Sequence, residues 1–187
     1  ALLTLILSFT VAAQVGKPFI HDPSTIMECE GRFYTFGTRG GGLISEDGWT
    51  CNGGAVRPGG GAAPDALKIG DRYLIAYSST GGGLGGGHNG KILTMWNKTL
   101  DPNSPDFKFT DPIEVASSEG MEDCDAIDAG LLLDPTTGRL WCTYGTYFGF
   151  IRMVELDPET GKFSFKRLVN IAFGPESMVL SKQDWND

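Results

Sequence analysis

A short unit recurs three times along the chain, and this repeat limits the folds that the chain can adopt. Each copy has a turn, then an arginine, then a run of aromatic and β-branched residues: 31–38, 71–78 and 138–145. Such runs behind tight turns are typical of β-strands. The arginines Arg32, Arg72 and Arg139 lie 40 and 67 residues apart. Strand repeats at this spacing indicate the blades of a β-propeller.

Further strand-like segments lie between and after the repeats, at 42–45, 91–96 and 150–156. No stretch after residue 13 shows the periodicity of an amphipathic helix. Glycine accounts for 27 of the 187 residues, which is typical of a chain with many turns. The sequence therefore predicts an all-β fold.

Charge and composition exclude several classes of function. The formal net charge of −8 argues against nucleic acid and anionic membrane as partners, since both bind basic surfaces. The chain has only two histidines, and its four cysteines show no Cys-x-x-Cys spacing, so we expect no metal site. In an exported protein the cysteines could form disulfides, and the sequence does not choose among the three pairings.

The first 13 residues are apolar and uncharged and end in Val-Ala-Ala at 11–13, as a signal peptide does before its cleavage site. The segment is too short to span a bilayer, which needs about 20 residues. Neither Met nor a basic segment precedes it. We therefore predict an incomplete signal peptide at 1–13, a folded domain at 14–187, and a secreted or periplasmic protein without a membrane anchor. The sequon at 97–99 would be a glycosylation site only in a eukaryotic secretory route.

An aspartate followed by a short apolar run precedes each repeat: Asp22, Asp65 and Asp128. The first strand of a propeller blade lines the central channel, so these side chains are expected to converge at its mouth. Converging carboxylates desolvate and repel one another, which shifts their pKa values apart. A single aspartate is more often a turn residue. Three of them at equivalent repeat positions favour a functional site.

The motifs around these aspartates resemble those of glycoside hydrolase family 43. They are His-Asp-Pro-Ser at 21–24, Ala-Ala-Pro-Asp at 62–65, Asp-Ala-Ile-Asp at 125–128 and Tyr-Gly-Thr-Tyr-Phe-Gly at 144–149. The resemblance runs from about residue 19 to residue 160. It implies a five-bladed β-propeller, of which this chain would cover about three blades. The family contains arabinanases, α-L-arabinofuranosidases and β-xylosidases, and the last motif is most similar to the arabinanase branch.

The resemblance also implies roles for individual residues. Family members invert the anomeric centre, with Asp22 matching the general base that activates water. Asp128 matches a third carboxylate, which orients the general acid and raises the pKa of that acid. Asp65 would shape the sugar subsite, and His21 would line its floor. Tyr147 and Phe148 are expected to contact sugars.

The general acid of the family is a glutamate at the start of the fourth blade. Glu176, in Gly-Pro-Glu-Ser at 174–177, is the candidate, and the alternative is an acid beyond Asp187. Ala62 also departs from the family, which usually has a tryptophan there.

Three functions remain open from the sequence. The first is an exported inverting glycosidase acting on arabinose- or xylose-containing plant polysaccharide, with arabinan the foremost substrate. The second is a carbohydrate-binding propeller that has lost catalysis. The third is a retaining propeller glycosidase such as a fructan-active enzyme, whose carboxyls would lie about 5–5.5 Å apart. For the first we expect a monomer that requires no cofactor, with room for a structural cation such as calcium in the full-length protein.

Overall fold

The computed structural model describes residues 15–79, 89–119, 124–145 and 150–172. Their secondary structure is three mainly antiparallel sheets and one short 3₁₀ turn at Thr38–Gly40. Blade 1 has the order β1-β5-β4-β3-β2, and the strands of blades 2 and 3 follow one another in chain order.

The strand bounds of the three blades are as follows. Blade 1 contains β1 (Val15–Gly16), β2 (Met27–Cys29), β3 (Arg32–Phe36), β4 (Gly41–Ser45) and β5 (Thr50–Val56). Blade 2 contains β6 (Ala62–Ile69), β7 (Arg72–Ser79), β8 (Lys91–Asn97) and β9 (Ile113–Ser117). Blade 3 contains β10 (Gly130–Leu133), β11 (Leu140–Tyr144), β12 (Phe150–Leu156) and β13 (Phe163–Ala172).

Counted from the edge strands β2, β6 and β10, the sequence repeat corresponds to the second strand of each blade. Arg32 begins β3, Arg72 begins β7, and Arg139 immediately precedes β11. In blades 2 and 3 this arginine covers a tryptophan ring, with 4.0 Å from the Arg72 guanidinium to Trp96 and 4.5 Å from Arg139 to Trp141. The two tryptophans lie on different strands, Trp96 on β8 and Trp141 on β11, so the arginine recurs while the position of its aromatic partner changes.

Two hydrophobic clusters join the blades, and β7 belongs to both. Leu74 packs into the cluster between blades 2 and 3, whereas its neighbour Ile75 packs into the cluster between blades 1 and 2. Both side chains are fully buried. Because successive side chains of a strand point to opposite faces, one central strand can supply both interfaces. Burial of each of these side chains contributes about 1.5–3 kcal/mol.

The structure bears on two questions that the sequence left open, the state of the cysteines and the accessibility of the sequon. Cys29 and Cys142 are buried free thiols, and desolvation raises the pKa of Cys142 to about 12. Neither of these two cysteines is in a disulfide. Asn97 of the sequon is only 2% exposed, and its side-chain oxygen accepts a hydrogen bond from the Lys108 N–H. A glycan therefore has no access to Asn97 in this fold.

Within the described ranges, no helix has the length and apolar character that crossing a bilayer requires.

Candidate active site

A cleft of about 250 Å³ lies near the starts of β2, β6 and β10, the edge strands at which the three blades meet. Its lining residues come from all three blades: Asp22, Pro23 and Thr25; Ala63, Pro64 and Asp65; Asp128 and Ala129. The structure thus brings the three predicted aspartates together. Cavities of about 290, 360 and 370 Å³ are each lined by a single blade, whereas the cleft is lined by all three, so we place the candidate site in the cleft.

Asp22 is held through one of its two carboxylate oxygens. Its Oδ2 accepts a hydrogen bond from the Thr38 hydroxyl at 2.7 Å and lies 2.7 Å from His21 Nδ1. The Thr38 oxygen in turn accepts the Ala63 N–H of blade 2 at 3.0 Å. Both contacts of the carboxylate fall on Oδ2, and the described part of the chain gives Oδ1 no hydrogen-bond partner. His21 is 77% exposed at the edge of the site.

Asp128 is the cleft carboxylate with a raised pKa. Its side chain reaches solvent on one side, while the protein atoms on the other side desolvate the carboxyl. This desolvation is the main cause of the raised pKa, and the negative charges of Asp22 and Asp125 raise it further. The Asp128 N–H donates to the Ser78 hydroxyl of blade 2 at 2.9 Å, which fixes the backbone of this residue.

Asp65 is the most fully engaged of the three carboxylates. Its Oδ1 accepts the N–H groups of Thr25 at 3.0 Å and of Ala66 at 2.9 Å. Its Oδ2 accepts the N–H of Leu131 at 2.8 Å. Both oxygens of Asp65 are therefore used by backbone donors from three blades.

Unfavourable backbone conformations are concentrated at the cleft. Asp22, Ala63 and Asp128 have φ angles of 50°, 38° and 55°. Left-handed conformations of residues other than glycine cost about 1–3 kcal/mol each, and they cluster at functional sites. These angles point to selection for a particular placement of the two aspartates.

The remaining site predictions are not tested by this geometry. Glu176, Tyr147 and Phe148 lie outside the described residues, so their roles stay predictions. Within the ranges that the structure describes, no group of three or more His, Cys, Asp or Glu could hold a metal ion. The expectations about cofactors and about a structural cation also stay predictions.

Two positioning residues were not identified from the sequence, although the repeat contains a signal for both. Thr38 and Ser78 are the last residues of the first and second repeats, and each places a hydroxyl against one cleft aspartate. In these two repeats the hydroxyl residue lies near the end of β3 or of β7, on the side of the blade where the cleft is. The sequence could not show which aspartate each hydroxyl contacts. Thr38 is 16 residues from Asp22, and Ser78 is 50 residues from Asp128.

Similar proteins were found by sequence, although no protein-family model matches the chain. The chain is 31% identical over 177 residues to a probable arabinan endo-1,5-α-L-arabinosidase A of Aspergillus flavus, covering 86% of this chain and 51% of that protein. It is 29% identical over 98 residues to an extracellular exo-α-(1→5)-L-arabinofuranosidase of Cellvibrio japonicus, covering 52% of this chain and 27% of that protein. The chain spans about half the length, or less, of these curated relatives.

Similar solved structures are also named as arabinanases. An exo-1,5-α-L-arabinanase from a bovine ruminal metagenomic library matches with a TM-score of 0.65 and 30% identity, over 78% of this chain and 52% of that one. A family 43 endo-arabinanase from Bacillus licheniformis matches with a TM-score of 0.70 and 26% identity, over 87% of this chain and 59% of that one. The chain thus resembles the arabinanases of glycoside hydrolase family 43 in sequence and fold, and its three sheets correspond to about three blades of their five-bladed β-propeller.

Proposed function

We propose that the protein is a secreted glycoside hydrolase that cleaves arabinan with inversion of the anomeric centre. The observation that carries the proposal is the cleft in which Asp22, Asp65 and Asp128 meet from three blades. The relatives in both comparisons are named as enzymes acting on arabinan or on α-1,5-linked arabinofuranose, which supports arabinan as the substrate. Both endo- and exo-acting enzymes are among them.

The contacts of Asp22 support its proposed role as the general base. Thr38 and His21 hold its Oδ2, which leaves Oδ1 to accept a proton from water as that water attacks the anomeric carbon. A second carboxyl group donates a proton to the leaving glycosidic oxygen. Inverting enzymes keep these two carboxyls about 6.5–9.5 Å apart so that the water fits between them. Both proton transfers use carboxyl groups, so the proposed reaction requires no cofactor.

Asp128 fits the third carboxylate of the site. A negative charge beside a general acid favours the protonated form of that acid at neutral pH. The acid itself is Glu176 or a residue beyond Asp187. A purely carbohydrate-binding propeller is the weaker candidate, because it gains nothing from a desolvated Asp128 next to Asp22. The retaining, fructan-active alternative is also the weaker one, because the relatives are named as arabinan-acting enzymes.

The test uses the full-length gene product on arabinan and on aryl arabinofuranoside and xyloside. We expect Asp22→Asn to lower kcat by about 10²–10⁴-fold, the usual contribution of general acid–base catalysis. NMR of the first product should show the anomeric configuration opposite to that of the substrate. A comparable loss in Glu176→Gln would identify the acid, whereas an active Glu176→Gln would place the acid beyond Asp187.

Asp47→Asn is the matched control, because it makes the same chemical change on an exposed turn of blade 1, outside the cleft lining. Wild-type rates in Asp22→Asn, or retention of configuration, would overturn the proposed mechanism.

A further inference from the structure

Asp65 occupies a symmetrical position between the other two cleft aspartates. Its Oδ1 accepts the Thr25 N–H, and its Oδ2 accepts the Leu131 N–H. Thr25 follows Asp22 by three residues, and Leu131 follows Asp128 by three residues. One carboxylate of blade 2 is therefore bonded to the same backbone position beside each of the other two carboxylates.

We propose that Asp65 is a positioning residue that fixes the spacing between Asp22 and Asp128 by holding the backbones of blades 1 and 3 on its two oxygens. The inference rests on the proposed function, since it assigns a task to Asp65 within that reaction. Asp65 shapes the sugar site in this way through the placement of its neighbours.

The strand arrangement explains why a carboxylate is needed at this position. The strands β2, β6 and β10 are each an edge strand of their blade, and β6 contacts both β2 and β10. An edge strand has backbone N–H groups that no neighbouring strand accepts. A carboxylate has no donor and two acceptor oxygens, so it can pair with one N–H from each side, through charge-assisted hydrogen bonds.

Further contacts reinforce the same attachment. The Ala66 N–H also binds Asp65 Oδ1, which restricts rotation of the carboxylate. The Ser78 hydroxyl of blade 2 accepts the Asp128 N–H. The Ala63 N–H of blade 2 donates to the Thr38 hydroxyl, which itself binds Asp22. The segments that carry Asp22 and Asp128 are thus both located relative to blade 2. A misplacement of about 1 Å in such a site can cost about 10²-fold in rate.

Asp65→Asn in the full-length gene product tests the proposal. Asparagine keeps one acceptor oxygen and places an NH₂ group against the other N–H, so one of the two links is lost. We expect kcat on arabinan to fall by about 10–100-fold while KM stays within about 3-fold, because the change affects the reacting geometry more than sugar binding.

Asp47→Asn is again the control. Asp47 accepts the N–H groups of Trp49 and Thr50 on a turn of blade 1, as Asp65 accepts backbone donors in the cleft. This variant should lower Tm and leave kcat unchanged. If kcat fell only because the protein was less stable, then Asp47→Asn and Asp65→Asn would both lose kcat.

Two results would overturn the proposal. A raised KM with unchanged kcat in Asp65→Asn would show direct contact with the sugar, and a kcat within about 2-fold of wild type would show no positioning role. If Asp65→Asn does not fold, Asp65→Glu is measured by the same criteria. It keeps the charge and both acceptors but displaces them by one methylene, and we expect the same selective loss of kcat.

A double variant separates this proposal from the proposed function. If Asp65 acts by placing the base, Asp65→Asn should cost less in an Asp22→Asn background than in wild type, and fully additive losses would overturn it. The proposed function fails on different results, namely a wild-type protein that does not hydrolyse arabinan or an Asp22→Asn variant that remains fully active.

Discussion

Asp22 and Asp128 lie in left-handed backbone, with φ angles of 50° and 55°, and each has a hydroxyl group beside it. Aspartate tolerates this region better than most residues, because its short polar side chain can form local hydrogen bonds. The Thr38 hydroxyl binds the Asp22 side chain, and the Ser78 hydroxyl accepts the Asp128 N–H. Contacts from neighbouring elements thus hold both residues in conformations that their local sequence does not favour.

The raised pKa of Asp128 predicts how the fold responds to pH. Burial is the main cause of the shift, followed by the charges of Asp22 and Asp125. A carboxyl whose pKa is raised by folding stabilises the fold below its unfolded pKa of 3.8 and loses this contribution as pH rises through its folded pKa. Near pH 7 the ionised Asp128 therefore destabilises the protein. Asparagine tolerates the same φ angle. We therefore expect Asp128→Asn to raise Tm at pH 7 and to lower activity.

The pH dependence distinguishes this cause from a general packing effect. The Tm advantage of Asp128→Asn should shrink as pH falls and should vanish below the unfolded pKa of 3.8. Asp134→Asn is the control of opposite sign, because hydrogen bonds from Thr137 and Thr136 lower the pKa of Asp134. That variant should have a lower Tm at pH 7 and should approach wild type in acid. A lower Tm for Asp128→Asn at pH 7 would contradict the argument.

At the scale of single elements, the repeat identified β3, β7 and β11 and the edge strands β6 and β10, whereas the run that it marked in blade 1, at 22–26, ends just before β2. The segments of β1, β5, β9 and β13 were not recognised as strands. β5 is largely exposed and contains Gly53 and Gly54, and β9 has a single buried residue, Val115. Exposed outer strands carry no apolar run, so their pairing is determined by the strand beside them. A sequence pattern built on burial could therefore not detect β5 and β9.

The same limit applies to the site. Asp22, Asp65 and Asp128 were identified because the repeat marks them. The bonds from Asp65 to Thr25 and to Leu131 span 40 and 66 residues, and they depend on which blades are adjacent. Their existence follows from the packing of the sheets, which the repeat alone does not specify.

The turn between β12 and β13 shows how one glycine joins two blades. Gly161 has a φ of +70°, and a Cβ there would lie 2.8 Å from Trp96 Nε1 and 2.9 Å from a Leu74 methyl group of blade 2. The Thr94 hydroxyl donates to the Gly161 carbonyl, and Trp96 Nε1 donates to the Thr160 carbonyl. Gly161→Ala therefore combines an unfavourable φ with displacement of the blade contact.

Gly138→Ala is the matched control for this contact. Gly138 also has a φ of +70°, and nothing lies within 4 Å of its Cβ position. We expect Gly138→Ala to cost about 1 kcal/mol from backbone conformation and Gly161→Ala to cost about 1–3 kcal/mol more from overpacking. Urea unfolding of both variants measures the difference. Equal losses would show that the contact between blades 2 and 3 adjusts without cost.

At the scale of the whole molecule, blade 2 is the element on which both the core and the site depend. Its strand β7 contributes Leu74 to one interface and Ile75 to the other. It also supplies Asp65 and Ser78, which hold the segments of blades 1 and 3 at the cleft. The same packing that makes the fold stable therefore sets the distances within the site.

The charge of the chain predicts how binding of the proposed substrate responds to salt. The chain has a formal net charge of −8, and three carboxylates line the cleft, so the site repels anions. A polymer of arabinose carries no charge, and its binding should depend on hydrogen bonds and apolar contact. Raising the ionic strength from about 0.01 M to about 1 M shortens the Debye length from about 30 Å to about 3 Å. We expect KM for arabinan to change by less than about 2-fold over this range, because screening acts on charge pairs that this complex lacks.

An anionic polysaccharide supplies the contrast for this experiment. Polygalacturonate carries a carboxylate on every sugar, so it should not compete with arabinan at low salt, where repulsion from the cleft is strongest. Inhibition by polygalacturonate at low salt, or a KM for arabinan that falls steeply as salt is added, would contradict a site built for a neutral polymer. Either result would mean that charge on the substrate, rather than the shape of the cleft between the blades, decides which polysaccharide binds.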